Sequence, residues 1–161
     1  MAEARSMAEQ VARARDGSAS RPVSLWDRED RWLIRHLLPR LVALRVRLTL
    51  RDYGRTQAEL ASRLKHVPVE VPDEGALQRA VRAGRVVRGL GRRMPFDAAC
   101  LVQSLALWSF LREQGLPADL RIGVTKEESL AAHAWVELFD EPITDSPQGV
   151  ARFGAFDRIG S

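Results

Sequence analysis

Near Gly115 the apolar residues of this chain change their period, and that change limits what the chain can fold into. Before it, they recur at intervals of three and four, the repeat of a helix with a buried face. Beyond it, in "DLRIGV" and "AHAWVELF", they alternate with period two. Leu120, Ile122 and Val124 interleave with Asp119, Arg121 and Gly123, while Ala134, Val136 and Leu138 lie opposite His133, Trp135 and Glu137. Polar "TKEES" connects the two strands, and "DEP" at 140–142 is expected to turn the chain into a third short strand, "ITD". Helices followed by an antiparallel meander make an α+β domain, with one buried helix laid across the sheet.

The helix for that role lies in "MPFDAACLVQSLALWSFLREQGLPADL". Pro95 and Asp97 mark its start, and Gly115 and Pro117 its end. Leu101, Leu105, Trp108 and Leu111 follow one face, but Val102, Leu107 and Phe110 make the others apolar too. A helix apolar nearly all round is buried.

Upstream, residues 1–24 mix charge, alanine and serine and are expected to stay disordered, residues 25–94 to form a helical subdomain, and 95–161 the core that carries the chemistry. Ser24 and Asp27 suggest a capping box, and Pro39 should break or kink the helix near Leu38. Leu33, Leu37, Leu38, Leu41, Leu44 and Leu48 form the apolar stripe. Thr56 with Glu59 offers another capping pair for a helix to about Leu64, "KHVPVEVPDEG" reads as a loop, and 76–90 as a further helix. On that helix Arg79, Arg82, Arg85 and Arg88 lie three apart and, with Arg92 and Arg93, form a cationic stripe. Such a stripe is ordinarily a solvated face. The functional alternative is that Arg82, Arg85 and Arg88 dock an acidic peptide or partner.

Composition narrows the classes. With 161 residues, 45% hydrophobic and 29% charged, the chain has room for one globular unit and one active site. "CLVQSLALWSFL" is too short and too polar to cross a membrane, and nothing resembles a secretory signal, so a cytoplasmic protein without a membrane partner is expected. The net charge of +4 comes from arginine, with lysine only at Lys65 and Lys126. The basic residues lack the interleaved aromatics of a nucleic-acid platform. One cysteine and three scattered histidines show no ligand spacing, and no cofactor motif is present, so neither metal nor cofactor is expected.

The single cysteine, Cys100, falls in the first turn of the buried helix. Unsatisfied amides there favour a thiolate, as a nucleophile needs. A cysteine on such a helix can also be simple core filler. His133, at the start of the second strand, can take the thiol proton and later pass it to a leaving amine. His36, on an amphipathic helix, and His66, in a proline-bounded loop, are weaker candidates. Asp145 can orient the imidazole if the hairpin turns near Phe139, but a turn centred on Glu141 offsets it, leaving Glu137 and Asp140 as substitutes. Trp135 could line the cleft or simply pack, and Gln103 lies too far along the helix to be assigned as an oxyanion donor.

"CLVQSLALWSFLREQGLPADLRIGV", then "LAAHAWVEL" and "ITD", resembles the transglutaminase-like cysteine proteases that act as leader peptidases in lasso-peptide biosynthesis. The likeness is dense over 95–150 and looser over 25–94. It implies a transglutaminase- or papain-like core with Cys100 as nucleophile, His133 as general base and acid, and Asp145 as orienting carboxylate. It also implies three partners: a precursor bearing the leader peptide, a small leader-recognition protein of winged-helix type, and an ATP-using macrolactam synthetase that acts afterwards. Residues 1–94 lack the strand pattern of the recognition module, so it should be a separate protein. A transglutaminase-like acyltransferase or amidase, and a non-catalytic peptide-docking module, are the alternatives.

Overall fold

A computed structural model of the chain describes residues 2–19, 27–94, 100–125 and 131–159. Three helices begin at aspartates whose carboxylates accept backbone N–H groups that no intrahelical carbonyl reaches. Asp27 caps α2 (Arg28–Leu50), Asp52 caps α3 (Tyr53–Leu64) and Asp73 caps α4 (Glu74–Gly91). The expected caps are displaced accordingly. Asp27 is itself the cap of α2, while Ser24 lies outside the described residues. Thr56 sits inside α3, where its hydroxyl donates to the Asp52 carbonyl at 3.2 Å.

Pro39 does not divide α2, which runs unbroken through it. A proline inside a helix costs about 3 kcal/mol. Leu33, Leu37, Leu41 and Leu44 are all buried on this helix, and each contributes roughly 1.5–3 kcal/mol, enough to keep the helix intact. Leu38 and Leu48 are only half-buried, on the flank of that stripe.

The N-terminal segment is not disordered as expected: residues Ala2–Ala19 form α1. Val11 is fully buried in the core, with Met7 and Ala14 packed beside it at helical spacing. The segment has too few apolar residues to announce itself, and its order comes from packing on α4. Arg15 ties it to residues 141–142, donating to Glu141 Oε2 at 3.0 Å and to the Pro142 carbonyl at 3.3 Å.

The helices do not form a subdomain apart from the sheet. One core cluster joins Val11 of α1, Leu37 of α2, Val81 of α4, Leu107 of α5 (Cys100–Glu113) and Val136 of the sheet. An all-round apolar helix needs partners on every side, and the sheet covers only one; α2, α3 and α4 cover the rest. Pro95 and Asp97 lie outside the described residues. At the other end Gly115 adopts φ +76, the left-handed exit that glycine permits.

The α+β arrangement expected from the change of period is the one observed. Four antiparallel strands, β1 (Ala118–Thr125), β2 (Ala131–Leu138), β3 (Glu141–Pro142) and β4 (Gly154–Ile159), stand in the order β3-β2-β1-β4. The sheet is therefore not a plain meander, because β4 returns to the outer side of β1. The β2–β3 turn is Phe139–Asp140, both at positive φ, and not "DEP". "ITD" bends off the sheet after a third strand of only two residues. Ile143 N–H still reaches the Val136 carbonyl at 2.9 Å, but Val136 N–H donates to the Thr144 side chain at 3.2 Å in place of a ladder bond. Helix α6 (Pro147–Ala151) then leads to β4. Among the described residues no helix is long and apolar enough to cross a membrane.

Candidate active site

Cys100 is the first residue of α5, half-buried, with His133 of β2 and the backbone of Ala134 and Leu101 as the groups that act on its thiol. One turn on, Ser104 Oγ donates to the Ala134 carbonyl at 2.9 Å. The helix is thus fastened to the strand beside the imidazole. Further along, Trp108 Nε1 donates to the Ala118 carbonyl at 3.1 Å, fastening α5 to β1.

His133 Nε2 lies 3.3 Å from Asp145 Oδ2, which leaves Nδ1 for the cysteine side. Cys100, His133 and Asp145 therefore stand in one line. The two-residue turn sets the register: Leu138 pairs with Glu141 and Glu137 with Pro142, so the same count would put Asp145 opposite Ala134, one residue past His133, and it is the departure of 143–145 from the sheet that brings the carboxylate to the imidazole. Asp145 reaches this place from the bend beyond β3 rather than from a strand.

The electrostatics follow from this line. Burial pushes the Cys100 thiol up, but the His133 hydrogen bond, the Ala134 amide, the imidazolium charge and the Leu101 amide together hold it below its ordinary value. His133 is raised to about 9, chiefly by its bond to Asp145 and then by Cys100, against the opposing effect of burial. Burial also pushes Asp145 up, yet the His133 bond and charge, helped by Arg88 and the Thr144 side chain, keep it below the usual carboxylate range. Such a set can carry a thiolate beside an imidazolium, ready to attack a carbonyl carbon and to protonate a departing amine.

The imidazole rests on aromatic surface. Trp135 stacks beside it with ring centroids 6.0 Å apart and planes 19° apart, and Phe153 lies 5.1 Å from it. Trp135 is only 2% exposed and its Nε1 donates to Glu137 Oε1 at 2.7 Å, so it backs His133 and does not line an open cleft as expected. Gly123, paired with His133 across the strands, makes room for this packing: a Cβ there would lie 3.0 Å from both Phe153 and Trp135.

The remaining candidates are occupied elsewhere. Glu137 binds Trp135 and sits 3.5 Å from Arg121, and Asp140 is exposed in the turn, so neither orients His133. His36 donates from Nδ1 to the Trp32 carbonyl at 2.8 Å and packs against Trp32 and Phe110, while His66 is exposed. Gln103 is turned towards α4, where a Cβ on Gly91 would lie 2.4 Å from its Nε2.

Three arginines of the cationic stripe are neither simply solvated nor free for docking. Arg82 is spent on three carboxylates, reaching Asp27 at 2.7 Å, Glu29 at 2.5 Å and Asp30 at 2.6 Å. Arg85 is half-buried and engaged, and Arg88 bonds to the Thr144 carbonyl and stands 3.9 Å from Asp145. Sequence reasoning missed Ser104, Thr144, Phe153 and Gly123. A serine one turn from Cys100 on an apolar helix, and a glycine amid a strand, were the available signals.

No curated protein and no solved structure matches this chain. A family profile described as the transglutaminase-like superfamily matches residues 40–156, from within α2 into β4 and across the boundary at 94 that the sequence suggested. The match covers well over half of the chain and contains Cys100, His133 and Asp145, so the chain belongs to the transglutaminase-like superfamily.

Proposed function

We propose that this protein is a cytoplasmic cysteine peptidase that removes the leader from a ribosomally made lasso-peptide precursor. The observation that carries peptidase chemistry is the Cys100–His133–Asp145 line, with Asp145 Oδ2 on His133 Nε2 at 3.3 Å. What supports the narrower substrate is the likeness of "CLVQSLALWSFL" and "HAWVEL" to the lasso leader peptidases. The Cys100 thiolate attacks the scissile carbonyl, and the amides at the start of α5 stabilise the oxyanion. His133 gives its proton to the amine of the departing core peptide. The leader remains as a thioester, which water cleaves with His133 as base. A winged-helix recognition protein presents the precursor, and a macrolactam synthetase uses the amine released.

The test mixes the protein with precursor and recognition protein and follows product masses. Cleavage into leader and core, lost in Cys100→Ala and in His133→Ala, is the expected result. Undiminished cleavage by Cys100→Ala would overturn the assignment. A leader joined to an added amine, with no free leader acid, would point to acyl transfer instead.

A further inference from the structure

Asp145 is an unusual orienting group because it lies beyond the end of its strand, with only the Ile143 and Thr144 bonds to Val136 tying the segment before it to the sheet. Strand β3 ends at Pro142, and the next three residues bend away. Helix α4 holds them from the other side. Gly84 lets the helix come close, since a Cβ there would lie 2.8 Å from the Ile143 carbonyl oxygen. One turn further, Arg88 Nη1 donates to the Thr144 carbonyl and stands 3.9 Å from Asp145 Oδ1. The two carboxylate oxygens are thereby divided, Oδ2 to His133 and Oδ1 to Arg88.

We propose that Arg88 is a positioning residue, which tethers the Thr144 carbonyl and the second oxygen of Asp145 so that the carboxylate stays aimed at His133. The inference rests on Cys100, His133 and Asp145 acting as one unit. It gives Arg88 a role other than binding a partner. The charged and polar groups around Asp145 are His133 from β2, Arg88 from α4 and Thr144 from its own segment, with Cys100 beyond the imidazole. Arg15 of α1 holds the near end of the same arm through Glu141 and Pro142. Arg88 keeps 46% of its side chain exposed, so its loss leaves no buried cavity.

The test needs no peptide substrate, because Cys100 is the only thiol. Alkylation of the full chain by iodoacetamide, followed across pH, reports the thiolate that His133 and Asp145 sustain. In Asp145→Asn the inflection should move up towards that of an ordinary thiol. Arg88→Met should move it the same way and slow alkylation at neutral pH by about tenfold, the change that one pKa unit makes to a thiolate fraction. Arg88→Lys, which keeps a cation and a donor, should recover most of the loss. Circular dichroism establishes that each variant is folded, and Arg88→Gln replaces Arg88→Met if that variant is not. If the Arg88→Met profile superimposes on the wild type while Asp145→Asn shifts, the positioning role is overturned. If Asp145→Asn itself changes nothing, the unit of three residues fails and this inference with it. A shift in both variants upholds the inference even if no precursor is ever cleaved.

Discussion

Ser104, one helical turn after Cys100, donates its hydroxyl to the Ala134 carbonyl at 2.9 Å. This bond clamps α5 to the backbone next to His133. Ser104→Ala leaves the Ala134 carbonyl without this donor in a buried setting, at a cost of about 1–3 kcal/mol. Urea unfolding should show a lower midpoint with an unchanged slope. An unchanged midpoint would mean that the clamp adds nothing to stability.

The pH dependence of Asp145→Asn has a definite sign. His133 is held up to about 9 against an ordinary 6.5, so the stability it contributes is complete below 6.5 and lost as pH rises through about 9. Asp145 is held below its ordinary 3.8, so its share is present above that value and lost as pH falls further. The difference in unfolding free energy between wild type and Asp145→Asn should therefore peak between about pH 4 and 6.5, at about 1.5–3 kcal/mol. It should shrink towards pH 9 and beyond. A difference that stays constant up to pH 10 would show that ionic pairing with His133 is not its source.

Gly123→Ala tests the aromatic backing of His133. The new methyl would press on Phe153, Trp135 and, at 3.1 Å, the Gly154 carbonyl. Overpacking of this kind costs about 1–3 kcal/mol. Thermal unfolding should shift down accordingly, and Cys100 alkylation should slow because the imidazole is displaced. A wild-type melting point would mean that the rings give way freely.

Arg82 supports the fold rather than a partner. Arg82→Met leaves Asp30, whose side chain is 5% exposed, without its closest cation. The expected loss is about 3 kcal/mol, the low end for breaking a buried pair, because Arg82 itself remains 23% exposed. Chemical denaturation measures it. Full stability in Arg82→Met would return the residue to the list of candidate docking cations.

The strands and the order of Cys100, His133 and Asp145 could be read from sequence because alternation and residue type are local properties. The partners of Arg82 could not. Asp27, Glu29 and Asp30 stand more than fifty residues away, and only packing of α2 on α4 brings them together. Helix α1 stayed hidden for a related reason: Val11 matters only once α4 offers it a place to bury. The turn stayed open between Phe139 and Glu141 because neither Phe139 nor Asp140 is a glycine, although both hold positive φ. Pro39 misled because its local cost is legible and the burial of Leu37 and Leu41 that outweighs it is not.

The turn at Phe139–Asp140 acts as a ruler. Its two residues set how much chain separates Leu138 from the bend that α4 holds through Ile143 and Thr144. One residue added or removed there would shift the bend against α4 and draw Asp145 off the imidazole. A change of length at an exposed corner could thus abolish the carboxylate–imidazole pair while every residue named in the site stayed in the chain.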